Sequence, residues 1–280
     1  MSKWRPKKLN CLYVIPDVHG AHDLLELILR RILPLRKSDG GKDKIIFLGD
    51  YIDRGKDGHK VLDRLIELKK KYGERVICLC GNHELMLLEA LEYIPSDSPS
   101  AVHNMWMNNG GLNTIAGYLE RIGSTDNVFS LNRDRIKSLI PKEHIDFMMN
   151  DLDGSYEEGN FTFVHGGCEP DESPSKYEIR TLAWDRSLFR FVLALIEEER
   201  ELPWENKIVI TGHNAHGGIP IIKDKFMMLD CGSPKKLLVV EAHTRQAFMS
   251  LPGKSKLVRF DLKETVKPKG SAKPSVRRIK

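Results

Sequence analysis

The strongest constraint on the fold of this chain lies at the ends of its predicted strands: in five places a run of apolar residues ends directly in a polar side chain, with a glycine close by. These runs are LYVIPDVHG, KIIFLGD, VICLCGNHE, FTFVHGG and IVITGHN. A buried strand needs a polar turn at its end, but folding does not require acids, amides and imidazoles at five of them. The side chains at these ends that could bind a metal ion are Asp17, His19, Asp50, Asn82, His165 and His213.

The first three of these strands alternate with helices. Apolar residues recur at helical spacing in residues 22–33, 57–73 and 84–94, and Gly73 is placed to end the second helix. The order β-α-β-α-β-α predicts a parallel core sheet with helices on its faces. Residues 96–150 are expected to be mostly helical, followed by short strands and one helix at about 188–201. The predicted fold class is α/β, with mixed sheets packed face to face and flanked by helices.

The polar side chains at the strand ends predict a metal site, because sites in open α/β sheets form outside the carboxyl ends of the strands. A single acid there is usually a turn former and a single histidine usually belongs to the core, but folding does not explain all six together. Carboxylate, imidazole and amide ligands without a thiolate suit Mn²⁺, Fe²⁺ or catalytic Zn²⁺ better than structural zinc. Six ligands are more than one catalytic ion with open positions uses, so two ions sharing a carboxylate are expected.

The stretch IIFLGDYIDRGKDG at residues 45–58 indicates which chemical group the metals act on. It places Asp50, Asp53 and Arg54 within a span of five positions, close after a buried strand. Two ions about 3.5–4 Å apart activate a bridging water and neutralise the oxygens of a displacement at phosphorus. The planar fork of an arginine binds phosphate through two parallel hydrogen bonds. Asp50 is therefore predicted to bridge the metals and Arg54 to face the phosphate that they bind.

Five short motifs in order resemble those of the calcineurin-like metallophosphoesterases. They are DVHG at 17–20, GDYIDRG at 49–55, GNHE at 81–84, VHGG at 164–167 and TGH at 211–213. Within that group the chain resembles the phosphoprotein phosphatases, and among these the compact bacterial and phage enzymes of the lambda type. The resemblance covers residues 12–250, and WMNNGG at 106–111 and LDCGS at 229–233 are weaker similarities.

The resemblance implies a role for each polar residue at the strand ends. One metal ion is expected to be bound by Asp17, His19 and Asp50. The expected metal is Mn²⁺, with Fe²⁺ or Zn²⁺ as alternatives. The second ion is expected to be bound by Asp50, Asn82, His165 and His213.

The resemblance also implies the reaction: a hydroxide that bridges the two metals attacks phosphorus directly. His83 is expected to protonate the leaving-group oxygen, and Asp53 to orient His83. Arg54 is expected to hold the phosphoryl oxygens. Arg186, which lies two positions after a tryptophan in LAWDRSLF, is expected to be a second phosphate-binding arginine.

The substrate implied by the resemblance is a phosphorylated protein, so the chain is expected to be a serine/threonine protein phosphatase. A symmetrical diadenosine tetraphosphate hydrolase, or another nucleotide phosphohydrolase, is the alternative on the same scaffold. Those hydrolases often carry a small residue in place of Asp53 and an aspartate in place of Glu84, which favours the phosphatase. An inactive scaffold that binds nucleic acid is a further alternative, but the intact ligand set argues against it.

The charge of the chain is concentrated at its two ends. Residues 1–8 carry +4 and residues 263–280 carry +6, whereas the whole chain carries +5, so residues 9–262 have a net charge of about −5. The expected organisation is a basic extension at 1–10, a catalytic domain at 11–262 with a helical insertion at about 96–150, and a basic disordered tail at 263–280. Nucleic acid is expected to bind weakly at most, and only through these ends.

The remaining features favour a cytoplasmic enzyme. No run of about 18 apolar residues predicts a membrane span, and the first residues lack the apolar segment of a secretory signal. The five cysteines show no zinc-binding spacing, and Cys78 and Cys80 alternate within a predicted strand as core residues do.

Overall fold

The computed structural model of the protein describes residues 10–38 and 41–262. The predicted basic tail at 263–280, and the basic extension except for Asn10, lie outside the described residues. Within residues 10–38 and 41–262, none of the helices combines the length and the hydrophobicity that crossing a bilayer requires.

The first half of the chain alternates strands with helices and then becomes helical. Its elements are β1 (Leu12–Ile15), α1 (His22–Ile32), β2 (Lys37–Ser38), β3 (Gly41–Lys42), β4 (Lys44–Phe47), α2 (Gly58–Tyr72), β5 (Val76–Cys78), α3 (Asn82–Ala90), α4 (Pro99–Trp106), α5 (Leu112–Arg121), α6 (Arg133–Leu139) and α7 (Lys142–Asn150). A π-helical turn, Met107–Gly111, joins α4 to α5.

The second half is rich in strands. Its elements are β6 (Ser155–Glu158), β7 (Phe161–Val164), α8 (Ile179–Trp184), α9 (Ser187–Glu197), β8 (Ile208–Thr211), β9 (Ile221–Lys223), β10 (Phe226–Met228), β11 (Leu237–Glu241), β12 (Gln246–Ser250) and β13 (Val258–Asp261).

Two mixed sheets form the centre of the molecule, as the sequence predicted. The six-stranded sheet has the order β13-β12-β11-β1-β4-β5, and the five-stranded sheet has the order β6-β7-β8-β10-β9. Strands β1, β4 and β5 are parallel to one another, which confirms the parallel core of the first half. Strands β7, β8 and β10 are also parallel. Each sheet therefore has three strands whose carboxyl ends lie at one edge.

The cores follow from the alternation of side chains along the strands. In β1, Leu12 and Val14 pack between the two sheets, together with apolar residues of β7, β8 and β10. Tyr13 and Ile15 point to the other face and pack under the helices of the first half. The outer face of the second sheet is covered in the same way by α8 and α9. The layers are thus helices, sheet, sheet and helices.

Several boundaries differ from those that the sequence predicted. The second helix ends as expected at Gly73, whose φ of 58° suits a glycine at a helix end. The third helix ends at Ala90 rather than near residue 94, because the chain turns at Glu92 with a φ of 55°. The predicted helix at 188–201 ends at Glu197. Strand β6 was missed because it is a polar edge strand, SYEE, without an apolar run.

Candidate metal centre

The polar side chains at the strand ends converge around the carboxylate of Asp50. Its Oδ2 atom lies 3.5 Å from Nε2 of His19 and 3.8 Å from Nε2 of His83. Its Oδ1 atom lies 3.4 Å from Nε2 of His165. All of these side chains are buried. A carboxylate with histidines on both of its oxygens has the surroundings of a bridging metal ligand.

Two groups of ligand atoms share this carboxylate. One group is His19, Asp50 and His83, the other is Asp50, His165 and His213, and the ligand atoms of each lie within 4.8 Å of one another. The sequence placed Asp17 rather than His83 in the first group. Asp17 lies close to it, with Oδ2 3.9 Å from Nε2 of His19.

Asp17 and Asn82 complete the cluster. The backbone N–H of His213 donates to Oδ1 of Asp17 at 2.9 Å, which ties the end of β8 to the end of β1. Oδ1 of Asn82 lies 3.2 Å from Nε2 of His165. All six predicted ligands are therefore brought together, and their assignment to particular ions stays a prediction.

The histidines present the donor atoms that a divalent ion needs. The Nδ1 atoms of His19 and His165 lie 2.8 Å and 2.7 Å from the carbonyl oxygens of Ile52 and Leu48, so each ring donates there and turns its Nε2 toward the cluster. Nε2 of His19 and Nε2 of His213 are buried without a hydrogen-bond partner in the described part of the chain. Rings fixed through one nitrogen with the other left open are typical of metal ligands, so the residues fit divalent metal ions.

The electrostatics of the cluster depend on burial and on Asp50. Burial lowers the pKa of His19 to about 3, and burial together with the charge of His165 lowers the pKa of His213 to about 2. Burial also opposes the charged form of His165, but the carboxylate of Asp50 outweighs it and raises the pKa of His165 to about 10. Burial, reinforced by nearby acids, raises the pKa of Asp17 well above its usual range. The buried carboxyl groups of Asp17 and Asp50 are unfavourable in their charged form unless cations compensate them.

The backbone of the site is strained. A positive φ is uncommon for a residue with a side chain, because Cβ then crowds the backbone. Five residues of the site nevertheless have a φ between 46° and 66°: His19, Asp50, Asp53, Arg54 and His213. Strained backbone of this kind concentrates at functional sites, where the surrounding structure holds it in place.

Two glycines are required by close approach to the ligands. A Cβ atom at Gly81 would overlap Oδ1 of Asp50, and one at Gly212 would overlap Oδ1 of Asp17. These contacts give a physical reason for the glycines of GNHE and TGH: any larger residue would displace a carboxylate of the cluster.

A histidine–aspartate pair adjoins the cluster. Nδ1 of His83 lies 2.7 Å from Oδ2 of the buried Asp53. The indole N–H of Trp106 donates to Oδ1 of Asp53 at 3.0 Å, and the hydroxyl of Thr114 donates to the same oxygen at 2.6 Å. Burial alone would lower the pKa of His83, but the carboxylates of Asp50 and Asp53 outweigh burial and raise it. His83 is thus an imidazole favoured in its protonated form and held in one orientation.

The segment at 96–150 supplies the residues that hold this pair. Besides Trp106 and Thr114, Gly110 accepts a hydrogen bond from the backbone N–H of Arg54 at 3.4 Å, and Asn113 donates to the carbonyl oxygen of Arg54 at 2.6 Å. In the sequence WMNNGG was only a weak similarity, and neither Trp106 nor Thr114 had a predicted role. The segment therefore borders the cluster.

Glu84 does more than stabilise the start of a helix. It lies in the first turn of α3, and it accepts the backbone N–H of Gly81 at 3.0 Å. Its carboxylate also accepts the backbone N–H groups of Asp50 at 2.9 Å and Tyr51 at 2.8 Å. Burial and the nearby charge of Asp50 raise its pKa to about 7. Glu84 fixes the strained loop that carries Asp50.

The two predicted phosphate-binding arginines lie at the rim. Arg54 is exposed, and its Nη2 lies 3.2 Å from Nε2 of His83. Arg186 is also exposed, immediately before α9, and its Nη1 donates to Oδ1 of Asn214 at 3.3 Å. Since Asn214 follows His213, both guanidinium groups border the cluster.

Comparisons with known proteins identify the family. A family model described as calcineurin-like phosphoesterase matches residues 12–244. The chain belongs to this family. It is also 44% identical over 72 residues to the serine/threonine-protein phosphatase SIT4 of Candida albicans, a match that covers 25% of this chain and 22% of that protein. The match thus spans about a fifth of the length of this relative.

Solved structures of two phosphatases share the fold of this calcineurin-like phosphoesterase. A serine/threonine phosphatase from Saccharomyces cerevisiae with similarity to human phosphatase PP5 has a TM-score of 0.51 and 14% identity, covering 89% of this chain and 78% of that one. A mutant of a cold-active protein tyrosine phosphatase has a TM-score of 0.50 and 16% identity, covering 88% and 80%. At these identities the likeness concerns the fold.

Proposed function

We propose that the chain is a dinuclear metal-dependent phosphomonoesterase that acts on phosphoserine and phosphothreonine in proteins. The observation that carries the proposal is the pair His83–Asp53, fixed by Trp106 and Thr114, next to two ligand groups that share Asp50. Beside metal ions that activate water, such a pair can protonate the leaving group of a phosphoester. The proposed catalytic unit is residues 11–262, in the cytoplasm, where the five free and buried cysteines would stay reduced.

Two divalent ions, which we propose are Mn²⁺, would be held by the six strand-end residues named above. Bound there, they would supply a Lewis acid that activates water and neutralises phosphoryl oxygens. The neutral imidazoles of His19 and His213 and the carboxylates of Asp17 and Asp50 provide both the lone pairs and the negative charge that such ions need.

The chain's own residues position the phosphate and deliver a proton. Arg54 and Arg186, at the rim, bind the phosphoryl oxygens and hold the substrate with its leaving group toward His83. His83 donates the proton on Nε2 to the oxygen of the departing serine or threonine. Asp53 keeps the other proton on Nδ1 and stabilises the imidazolium before transfer. The carboxylates of Asp50 and Asp53 raise the pKa of His83, which favours this acid form.

The test compares three substrates on metal-stripped protein before and after Mn²⁺ is restored: p-nitrophenyl phosphate, a phosphothreonine peptide and diadenosine tetraphosphate. We expect turnover of the peptide that depends on Mn²⁺ and falls by about 10²- to 10⁴-fold in His83→Asn, the range for loss of a general acid. His243→Asn is the matched control, because His243 lies at the surface and contacts Glu241 rather than the cluster.

Other outcomes would change the proposal in defined ways. Preference for diadenosine tetraphosphate would keep the metal chemistry and replace the protein substrate by a dinucleotide. Turnover of none of the three by protein that binds Mn²⁺ would contradict the proposed activity.

A further inference from the structure

A sixth strand end reaches the metal centre, and the acid that it carries had no role predicted from the sequence. Strand β10 runs parallel to β8, with Met228 opposite Thr211. The next backbone N–H, that of Leu229, donates to the carbonyl oxygen of Thr211 at 2.8 Å, so β10 ends at the same edge as the strand that carries His213. Asp230 follows immediately. Asp230 therefore directly follows a strand end at this edge, as the six predicted ligands do.

The loop after β10 is fastened against the loop that carries Asp17 and His19. The hydroxyl of Ser233 donates at 2.5 Å to the carbonyl oxygen of Val18, the residue between those two ligands. Within the loop, the backbone N–H of Gly232 donates to Oδ1 of Asp230 at 2.8 Å. These two bonds fix the position of the Asp230 carboxylate on the side of the centre where Asp17 lies.

One oxygen of this carboxylate makes no hydrogen bond within the described part of the fold. Asp230 is 1% exposed, and among the residues that the structure describes its buried Oδ2 has no hydrogen-bond partner. Leaving a buried acceptor of a charged group without a hydrogen-bond partner destabilises the folded protein. Such an atom beside a metal centre points to a partner that is not part of the polypeptide.

The charges around Asp230 indicate that this partner is a cation. Asp230 and Asp17 are both buried at this edge of the sheets, and their carboxyl groups act on each other electrostatically. Asp50 adds a third carboxylate to the same buried region. Three such groups together are unfavourable unless positive charge compensates them.

We propose that Asp230 is a positioning residue of the metal centre: its free Oδ2 strengthens the binding of the divalent ion on the Asp17 side. The inference rests on the proposed function, since it assumes that the centre binds two divalent ions. Carboxylates that support a metal site from just outside the ligands typically contribute about 10- to 100-fold in affinity.

The experiment is a calorimetric titration of metal-stripped full-length protein with Mn²⁺, for the parent and for Asp230→Asn. The asparagine keeps an oxygen for the N–H of Gly232 and removes the charge. We expect affinity at one of the two sites to fall by about 10- to 100-fold, with the other site unchanged. Glu241→Gln is the matched control, because Glu241 is a buried acid that bonds the backbone N–H of Leu12, at the opposite end of β1.

A second readout separates this role from a structural one. Without metal, Asp230→Asn should melt at a higher temperature than the parent, because a repelling carboxylate is gone, although the same variant binds Mn²⁺ less tightly. Asp230→Ser, which also removes the charge, should show the same loss of affinity and serves if the asparagine variant does not fold.

The parent protein separates the two possible failures. Equal Mn²⁺ affinity in the parent and in the Asp230 variant that folds would overturn the inference. A parent that binds no Mn²⁺ would instead contradict the proposed function itself.

Discussion

Two buried histidine clusters in this phosphoesterase differ in whether their ring nitrogens have hydrogen-bond partners. In the first, His144 is completely satisfied: its Nδ1 lies 2.7 Å from the hydroxyl of Tyr118 and its Nε2 lies 2.9 Å from Oδ1 of Asp63. In the second, His19 and His213 each bury an Nε2 that finds no hydrogen-bond partner within residues 10–38 and 41–262. His144, His19 and His213 are all buried, so burial does not distinguish them. The Nε2 lone pairs without hydrogen-bond partners do distinguish His19 and His213 from His144.

The backbone makes the same distinction. His144 lies within the regular helix α7, whereas His19 and His213 have φ values of 46° and 64°. A structural histidine is placed by ordinary secondary structure and stabilises the fold through its hydrogen bonds. The histidines of the metal centre are held in strained loops with free lone pairs, which costs stability and is useful only when a ligand binds. Substitutions in the two clusters should therefore have opposite consequences.

The largest effect is expected from His213→Asn. Removing a ligand should abolish tight binding of one ion and lower kcat by on the order of 10³-fold or more, since a catalytic metal supplies several kcal/mol of transition-state stabilisation. The metal-free variant should unfold at the same temperature as the parent or a higher one, because no hydrogen bond to Nε2 is lost. Calorimetric Mn²⁺ titration and thermal unfolding measure the two quantities. A variant that unfolds well below the parent would show that His213 is a structural residue.

The next effect concerns Asp53, the partner of His83. Asp53→Asn should lower kcat by about 10²-fold, because the general acid loses the carboxylate that orients it and favours its protonated form. Mn²⁺ affinity should be unchanged, which separates the acid pair from the ligands. The matched control is Asp63→Asn, which removes the acid partner of the structural His144 and should leave kcat unchanged at 25 °C. Equal losses of kcat in the two variants would contradict the distinction between the clusters.

The contrast also explains which residues could be predicted from the sequence. The six candidate ligands could be predicted, because each follows an apolar run and the first three runs alternate with helices, which fixes the direction of those strands. Asp230 could not be assigned, although FMM is typical of a strand. Whether its acid reaches the centre depends on β10 being parallel to β8, and the short connection through β9 does not reveal that.

The residues that hydrogen-bond to Asp53 could not be predicted for a different reason. Trp106 and Thr114 lie 53 and 61 positions from Asp53, and both are buried residues in helical sequence, where an ordinary core position looks the same. A local sequence pattern shows which residues are suited to catalysis or metal binding. It does not show which distant residues hydrogen-bond to them, or which positive φ values the packing imposes.

A smaller effect is expected from His144→Asn, which tests the structural side of the comparison. The shorter side chain cannot reach both the buried hydroxyl of Tyr118 and the exposed carboxylate of Asp63, so at least one of these two hydrogen bonds is lost. We expect the free energy of unfolding to fall by about 1–3 kcal/mol, with kcat and Mn²⁺ affinity unchanged at 25 °C. Urea unfolding, together with the peptide assay, measures both. Loss of activity in a folded His144→Asn would place this cluster in the catalytic machinery.

The smallest effect is the pH dependence of stability that His144 contributes. Burial lowers the pKa of His144 below its usual value of 6.5, and the carboxylate of Asp63 only partly offsets this. The unfolded chain therefore binds a proton in a range of pH where the folded protein does not. Stability due to this group is present above about pH 6.5 and is lost as the pH falls toward the lower, folded-state value.

Metal-free parent and His144→Asn should accordingly differ in slope between pH 7 and pH 5. The parent loses stability on acidification through His144, by at most about 1.4 kcal/mol per pH unit for one proton, and the variant lacks that contribution. The difference between their urea-unfolding free energies should shrink as the pH falls. His19 and His213, whose pKa values are also lowered by burial, contribute equally to both proteins and cancel in the difference. A gap that widens toward pH 5 would mean that folded His144 binds its proton more tightly than the unfolded chain does, so that Asp63, rather than burial, dominates its surroundings.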